Sequence, residues 1–219
     1  MRQPFEIAAS LGVIPVIAIE RAADAVALAD ALLEGGLPIA EITFRTAAAA
    51  DAIAIIADKR PELVVGAGTI LTPEALRAAI AAGATFGLAP GFDSEILDVA
   101  NQQRFAFVPG IMTPSDLTAV ARRSVGLAKF FPAHAAGGTA MLAAINAPFA
   151  HLKIRFIPTG GIGLDSMVEW LKLESVAAVG GTWIARKSDI NERRWGDITR
   201  NARAAVRRAK EAVAARSAL

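Results

Sequence analysis

Lys129 is the lone charge in Gly126–Leu127–Ala128–Lys129–Phe130–Phe131–Pro132–Ala133, a stretch otherwise apolar enough to read as a buried strand. Burial strips hydration from an ammonium, lowers the pKa of such an amine and leaves a neutral, nucleophilic fraction near neutral pH. That property is what Schiff-base chemistry on a carbonyl requires. The other five lysines (Lys59, Lys153, Lys172, Lys187 and Lys210) stand in polar or helix-surface contexts. The same placement also fits a strand-end lysine whose amine snorkels to water. Its neighbours have to decide between the two.

Glu41 lies between Ala40 and Ile42 in a second apolar run. A carboxylate against low-dielectric walls is pushed toward the range useful for proton transfer. The alternative is a structural salt bridge to Arg45 or Lys129. Arg45, four residues on, falls at the mouth of that strand, where a guanidinium fork suits a substrate carboxylate. Thr69 and the glycine-rich amides of Gly66–Ala67–Gly68–Thr69 complete a carboxylate cradle. At two further strand ends come Gly160–Gly161 and Gly180–Gly181, the latter followed by Thr182. Backbone amides there suit a phosphate, although tight turns without a ligand use the same glycines. The two histidines, His134 and His151, have no cysteine or acidic cluster at ligand spacing, so no metal site and no cofactor are expected. A covalent amine is favoured over metal-assisted carbonyl chemistry. No nucleophile-elbow serine and no dinucleotide fingerprint is present.

These residues sit on a repeating framework. Eight short apolar runs are separated by helical patterns: Val13–Ile19, Ile39–Phe44, Leu63–Thr69, Phe86–Pro90, Phe105–Ile111, Leu127–Pro132, Ile154–Pro158 and Val176–Val179. The runs are continuous, as for parallel strands covered on both faces. Between them a helix is expected over Arg21–Leu33, and others open at Thr72–Pro73–Glu74, Asp93–Ser94–Glu95 and Thr113–Pro114–Ser115–Asp116. Eight strand–helix units predict an α/β fold, a (β/α)₈ TIM barrel in one domain over residues 1–219, with a short N-terminal helix and a basic C-terminal helix. A doubly wound open sheet is the alternative. In such a barrel the chemistry collects where strands end, and the polar residues above fall at that edge, with Pro90 at the end of the fourth run.

Composition sets the surroundings. The chain has 219 residues, 54% of them hydrophobic and 20% charged, enough for a sizeable core. The Ile7–Ile19 run is too short to span a bilayer and contains Gly12 and Pro15, so no membrane segment is expected. With no cysteine and no secretory signal, a cytoplasmic enzyme is the expectation. Net charge is +2, and the basic excess gathers toward the C-terminus. A nucleic-acid footprint is disfavoured because no aromatics interleave with the arginines from Arg200 onward. A solvated helix with Ile198, Ala202, Ala205, Val206 and Ala209 turned inward fits better.

Six motifs in order, Glu41-Ile-Thr-Phe-Arg45-Thr46, Gly66-Ala-Gly-Thr69, Pro109-Gly-Ile111, Lys129-Phe-Phe-Pro-Ala133, Pro158-Thr-Gly-Gly-Ile162 and Gly180-Gly-Thr-Trp183, resemble the 2-keto-3-deoxy-6-phosphogluconate (KDPG) aldolase and 4-hydroxy-2-oxoglutarate aldolase family. The resemblance runs from about residue 10 to about 215. It implies a class I aldolase of the Entner–Doudoroff pathway, usually a homotrimer, whose partner is a small phosphorylated keto acid cleaved to pyruvate and glyceraldehyde 3-phosphate. It also implies roles. Lys129 matches the Schiff-base lysine and Glu41 the general acid/base. Arg45 and Thr69 match pyruvate-binding positions, Thr159 lies where the family lines the pocket near the substrate, and Gly160, Gly161, Gly181 and Thr182 match the phosphate end; Pro90, at its strand end, is expected to join the substrate-binding residues. Three positions depart from the family pattern: Thr182 where serine is frequent, His134 where glutamate is, and Met112 where a small polar residue is. Competing functions are cleavage of 4-hydroxy-2-oxoglutarate to pyruvate and glyoxylate, an epimeric phosphogalactonate substrate, and a non-catalytic phosphate-binding barrel.

Overall fold

The computed structural model describes residues 4–217; residues 1–3 and 218–219 of the expected domain lie outside the described residues. Helix α1 (Pro4–Leu11) leads into β1 (Val13–Ile17), and strands and helices then alternate. They are α2 (Ala25–Glu34), β2 (Ile39–Thr43), α3 (Ala49–Lys59), β3 (Val64–Gly68), α4 (Pro73–Ala81), β4 (Phe86–Leu88) and α5 (Ser94–Gln102). After β5 (Ala106–Val108) and β6 (Gly110–Ile111) come α6 (Pro114–Arg122), β7 (Leu127–Phe130), α7 (Gly138–Asn146) and β8 (Arg155–Pro158). The chain closes with α8 (Met167–Leu171), β9 (Val179–Gly181), α9 (Lys187–Asn191) and α10 (Trp195–Ser217).

The strands form two parallel sheets, one in the order β5-β4-β3-β2-β1-β9 and the other β6-β7-β8. β1 and β2 are buried along their whole length, which is why their apolar runs are unbroken. The sheets touch at both flanks. On one side the Gly110 amide of β6 donates at 3.0 Å to the carbonyl of Gly91, in the loop that follows β4. On the other, isolated parallel bridges join Phe156 to Val176 and Thr159 to Gly180. One apolar cluster runs from Ala8 to Ala212 and takes in the inward positions of α10: Ile198, Ala202, Ala205, Val206 and Ala209. Arginines of the same helix turn outward, Arg200 to Asp197, Arg208 to Glu211, and Arg203 to the Glu34 carbonyl.

Local signals place the helix starts. The Thr72 hydroxyl accepts from the Ala75 amide and the Asp93 carboxylate from the Ile96 amide, while Thr113 and Asp116 form a reciprocal capping box. Three boundaries differ from the sequence expectation. The fifth run is divided at Pro109, which has no N–H to give to a ladder. The eighth strand is Val179–Gly181 rather than Val176–Val179, because Val176 makes only the single bridge to Phe156. The helix expected over Arg21–Leu33 begins as a 3₁₀ turn at Ala22–Asp24 and runs as α2 from Ala25.

Candidate active site

Parallel pairing brings the C-terminal strand ends to one edge, and the sequence-nominated residues meet there or just beneath it. Glu41 and Thr43, two apart on β2, face the same side because strand side chains alternate. Lys129 reaches them from β7, in the other sheet. Its Nζ lies 3.2 Å from Glu41 Oε1, with the lysine side chain 5% exposed and the glutamate 1%. The amine therefore does not snorkel, and Glu41 pairs with Lys129 rather than Arg45. Room for the carboxylate comes from Gly68 on the neighbouring strand, where a Cβ would stand 1.9 Å from Oε1. The second oxygen, Oε2, is buried without a hydrogen-bond partner.

Above this pair opens a cavity of about 330 Å³. Arg45 lines one side. Its Nε donates to the Thr43 hydroxyl at 3.2 Å, and that hydroxyl donates to the Ile17 carbonyl at 3.0 Å. Arg45 makes no ion pair among the described residues, so its charge is available to an anion. Thr69 and Pro90 line the cavity as well. Thr69 has φ of +57°, a region that β-branched residues rarely enter. Thr159, Gly160, Gly161, Gly180 and Thr182 also line the cavity. Gly160 and Gly161 have φ of +106° and +73°, a turn that only glycine adopts without strain.

Two nominated residues are not among those lining the cavity. Glu41 lies behind Lys129, and Gly181 packs against the Trp183 ring, so that Gly180 supplies the lining at that strand end. Of the three departures, Thr182 lines the cavity. The His134 amide donates to the Gly160 carbonyl at 2.9 Å, with its ring beside Gly161. Met112 lies elsewhere, in a groove with Met141. Sequence reasoning passed over Val16, Thr43, Leu71, Phe131 and Ile162 as lining residues. The period-two spacing from Glu41 was a usable signal for Thr43. Phe131 stands with its ring centroid 5.8 Å from the Lys129 amine.

A buried amine beside a carboxylate, at a cavity lined by an arginine and by glycine-rich turns, is equipped for imine chemistry on a carbonyl. The sequence profile of KDPG and KHG aldolase matches residues 6–201. The chain belongs to this aldolase family. A 2-dehydro-3-deoxy-phosphogluconate aldolase of Haemophilus influenzae is 39% identical over 90% of this chain and 92% of that protein. Among solved structures, the KDPG aldolase of Legionella pneumophila, with pyruvate captured as a covalent carbinolamine intermediate, is 38% identical, with a TM-score of 0.88 over 93% of this chain and 98% of that one. The 2-keto-3-deoxy-6-phosphogluconate aldolase of Zymomonas mobilis with 3-phosphoglycerate is 36% identical, with a TM-score of 0.84 over 94% and 95%. As an aldolase, this protein is a carbon–carbon lyase. No helix among its described residues is long and apolar enough to cross a membrane.

Proposed function

We propose that this aldolase cleaves 2-keto-3-deoxy-6-phosphogluconate to pyruvate and glyceraldehyde 3-phosphate through an imine on Lys129. The observation that carries the reading is the buried Lys129–Glu41 pair at 3.2 Å beside a cavity lined by Arg45 and by positive-φ glycines. Neutral Lys129 adds to the C2 keto carbon, and loss of water gives a protonated imine. Glu41, which lies behind Lys129, takes the proton of the C4 hydroxyl through a water. As the C3–C4 bond breaks, its electron pair passes to the imine and leaves an enamine, and glyceraldehyde 3-phosphate departs. Protonation of the enamine at C3 and hydrolysis of the imine release pyruvate. Oε1 holds the amine, which leaves the unpartnered Oε2 for the proton.

Arg45, oriented by Thr43, and Thr69 hold the substrate carboxylate, so that C2 meets the amine in a reactive geometry. Pro90 and Thr159 bound the substrate chain. Gly160, Gly161 and Gly180–Gly181 offer amides, and Thr182 a hydroxyl, to the phosphate. We further infer that residues 1–219 act as one domain whose two sheets join as a (β/α)₈ barrel. The support is that both flanks are hydrogen-bonded and that β5 and β6 are interrupted by one residue. A homotrimer is supported by an apolar groove with exposed Met112 and Met141. A cytoplasmic setting, and with it the Entner–Doudoroff pathway, is supported by a chain with no cysteine that would need an oxidising compartment.

Steady-state kinetics on the phosphorylated substrate and on 4-hydroxy-2-oxoglutarate test the proposal. We expect kcat/KM to favour the phosphorylated acid by about tenfold or more, the scale of one well-placed anion contact. A preference for the unphosphorylated acid would transfer the assignment to 4-hydroxy-2-oxoglutarate.

A further inference from the structure

At the opposite end of β8 from the catalytic cavity lies a second, larger one of about 490 Å³. Its walls come from the end of α7 and the 3₁₀ turn after it, from Lys153 and Arg155 at the start of β8, and from Glu174 and Ser175 before β9. Arg155 stands at the N-terminal end of the strand whose C-terminal end feeds Thr159–Gly161. Four strand residues separate the two cavities by roughly 13 Å, and no lining residue is shared.

Several arginines elsewhere in the protein have a carboxylate partner: Arg60 has Asp30, Arg123 has Asp98 and Arg194 has Asp189. Arg155 donates instead to the Val176 carbonyl at 3.2 Å. Arg216 donates to the Leu171 and Leu173 carbonyls at 3.2 and 3.3 Å, gripping the same turn from its other side. Neither guanidinium, nor the Lys153 ammonium, makes an ion pair among the described residues. Burial, and secondarily the neighbouring Arg216, pushes the Arg155 guanidinium below its usual range. Lys153 is fixed at φ of +55°, a left-handed position that holds the chain where it turns into β8. The acidic residues nearby are Glu174, exposed on the cavity wall, and Glu6, which shares an adjoining groove with Arg155.

We propose that this cavity is a second anion site, distinct from the catalytic one, that takes inorganic phosphate or a small phosphate monoester. Lys153 and Arg155 hold the charge, the Ser175 hydroxyl donates, and Arg216 supports from behind. A half-buried guanidinium retains donors beyond the one given to Val176, and an oxyanion both accepts from these and relieves the repulsion with Arg216. The volume is within the range of small-molecule sites.

The test reads the arginine side chains directly. With pyruvate fixed on the enzyme by borohydride, the ¹H–¹⁵N Nε signals are followed while inorganic phosphate, and separately glycerol phosphate, is added. The Arg155 signal is assigned by its loss in Arg155→Gln. The expected result is a saturable shift of Arg155 that chloride at equal ionic strength does not produce. Lys153→Gln should weaken it about fivefold, as for loss of one exposed charge contact, while the kcat of untreated enzyme stays unchanged. Tighter binding of glycerol phosphate would identify a phosphorylated metabolite as occupant, and equal binding the free ion. A shift that does not saturate, or that chloride reproduces, overturns the proposal. Should Arg155→Gln fail to fold, Lys153→Gln and the chloride control still decide the matter.

Discussion

At the scale of single residues, the account turns on an ammonium and a carboxylate that have left water together. Such a pair is a poor source of stability, because desolvation consumes most of its Coulomb attraction, and removal of one partner leaves a buried, uncompensated charge. Its position beneath the anion cavity gives it a chemical purpose instead. Glu41→Gln keeps the shape and a hydrogen-bond acceptor for Lys129 but cannot take a proton. We expect it to lower kcat by about 10²- to 10⁴-fold, the usual contribution of general acid–base catalysis, while pyruvate-dependent imine still forms. An unchanged kcat in rapid-quench assays would remove Glu41 from the proton path. Gly68 belongs to the same argument. A methyl there would collide with Glu41 Oε1, so glycine at this position serves the carboxylate rather than the turn.

Elements show which signals were legible in the sequence. Helix starts were readable because a cap is a contact within four residues, and the Thr72, Asp93 and Thr113 side chains make the bonds their spacing implies. Thr113→Ala should cost about 1 kcal/mol in urea unfolding, the ordinary loss for an N-cap; no measurable change would mean that α6 is held by packing alone. Lys129, Glu41 and Arg45 were legible because a charge in an apolar strand is conspicuous. Less was legible where the determinant is long-range. The shift of the last strand to Val179–Gly181 depends on Val13, Ile14 and Pro15 of β1, its register partners far away in the chain. Likewise, Gly180 rather than Gly181 lines the cavity because the Trp183 ring occupies the other side. Pro109 could be read as a break, yet its carbonyl serves as acceptor for Lys129, which only the pairing of β6 with β7 creates.

At the scale of the whole molecule, surface pairs tie the helical layer together, and one of them sets a pH dependence. Arg60, at the end of α3, bonds the Asp30 carboxylate on α2 and holds its pKa below the usual range. The folded form thus binds the proton less readily than the unfolded one. The pair's stabilisation is present above the unfolded carboxylate pKa and is lost as pH falls through the folded value. Asp30→Asn should flatten the acid side of the stability profile slightly, since the pair is half exposed. An identical slope in thermal melts would assign that region of acid sensitivity to other carboxylates. The central claim concerns the whole chain acting on pyruvate, and it is tested most directly by borohydride reduction in the presence of pyruvate, followed by peptide mass spectrometry. The account predicts one reduced pyruvyl adduct, on Lys129, and none in Lys129→Ala. A folded protein that gives no adduct, or carries it on another lysine, would contradict it.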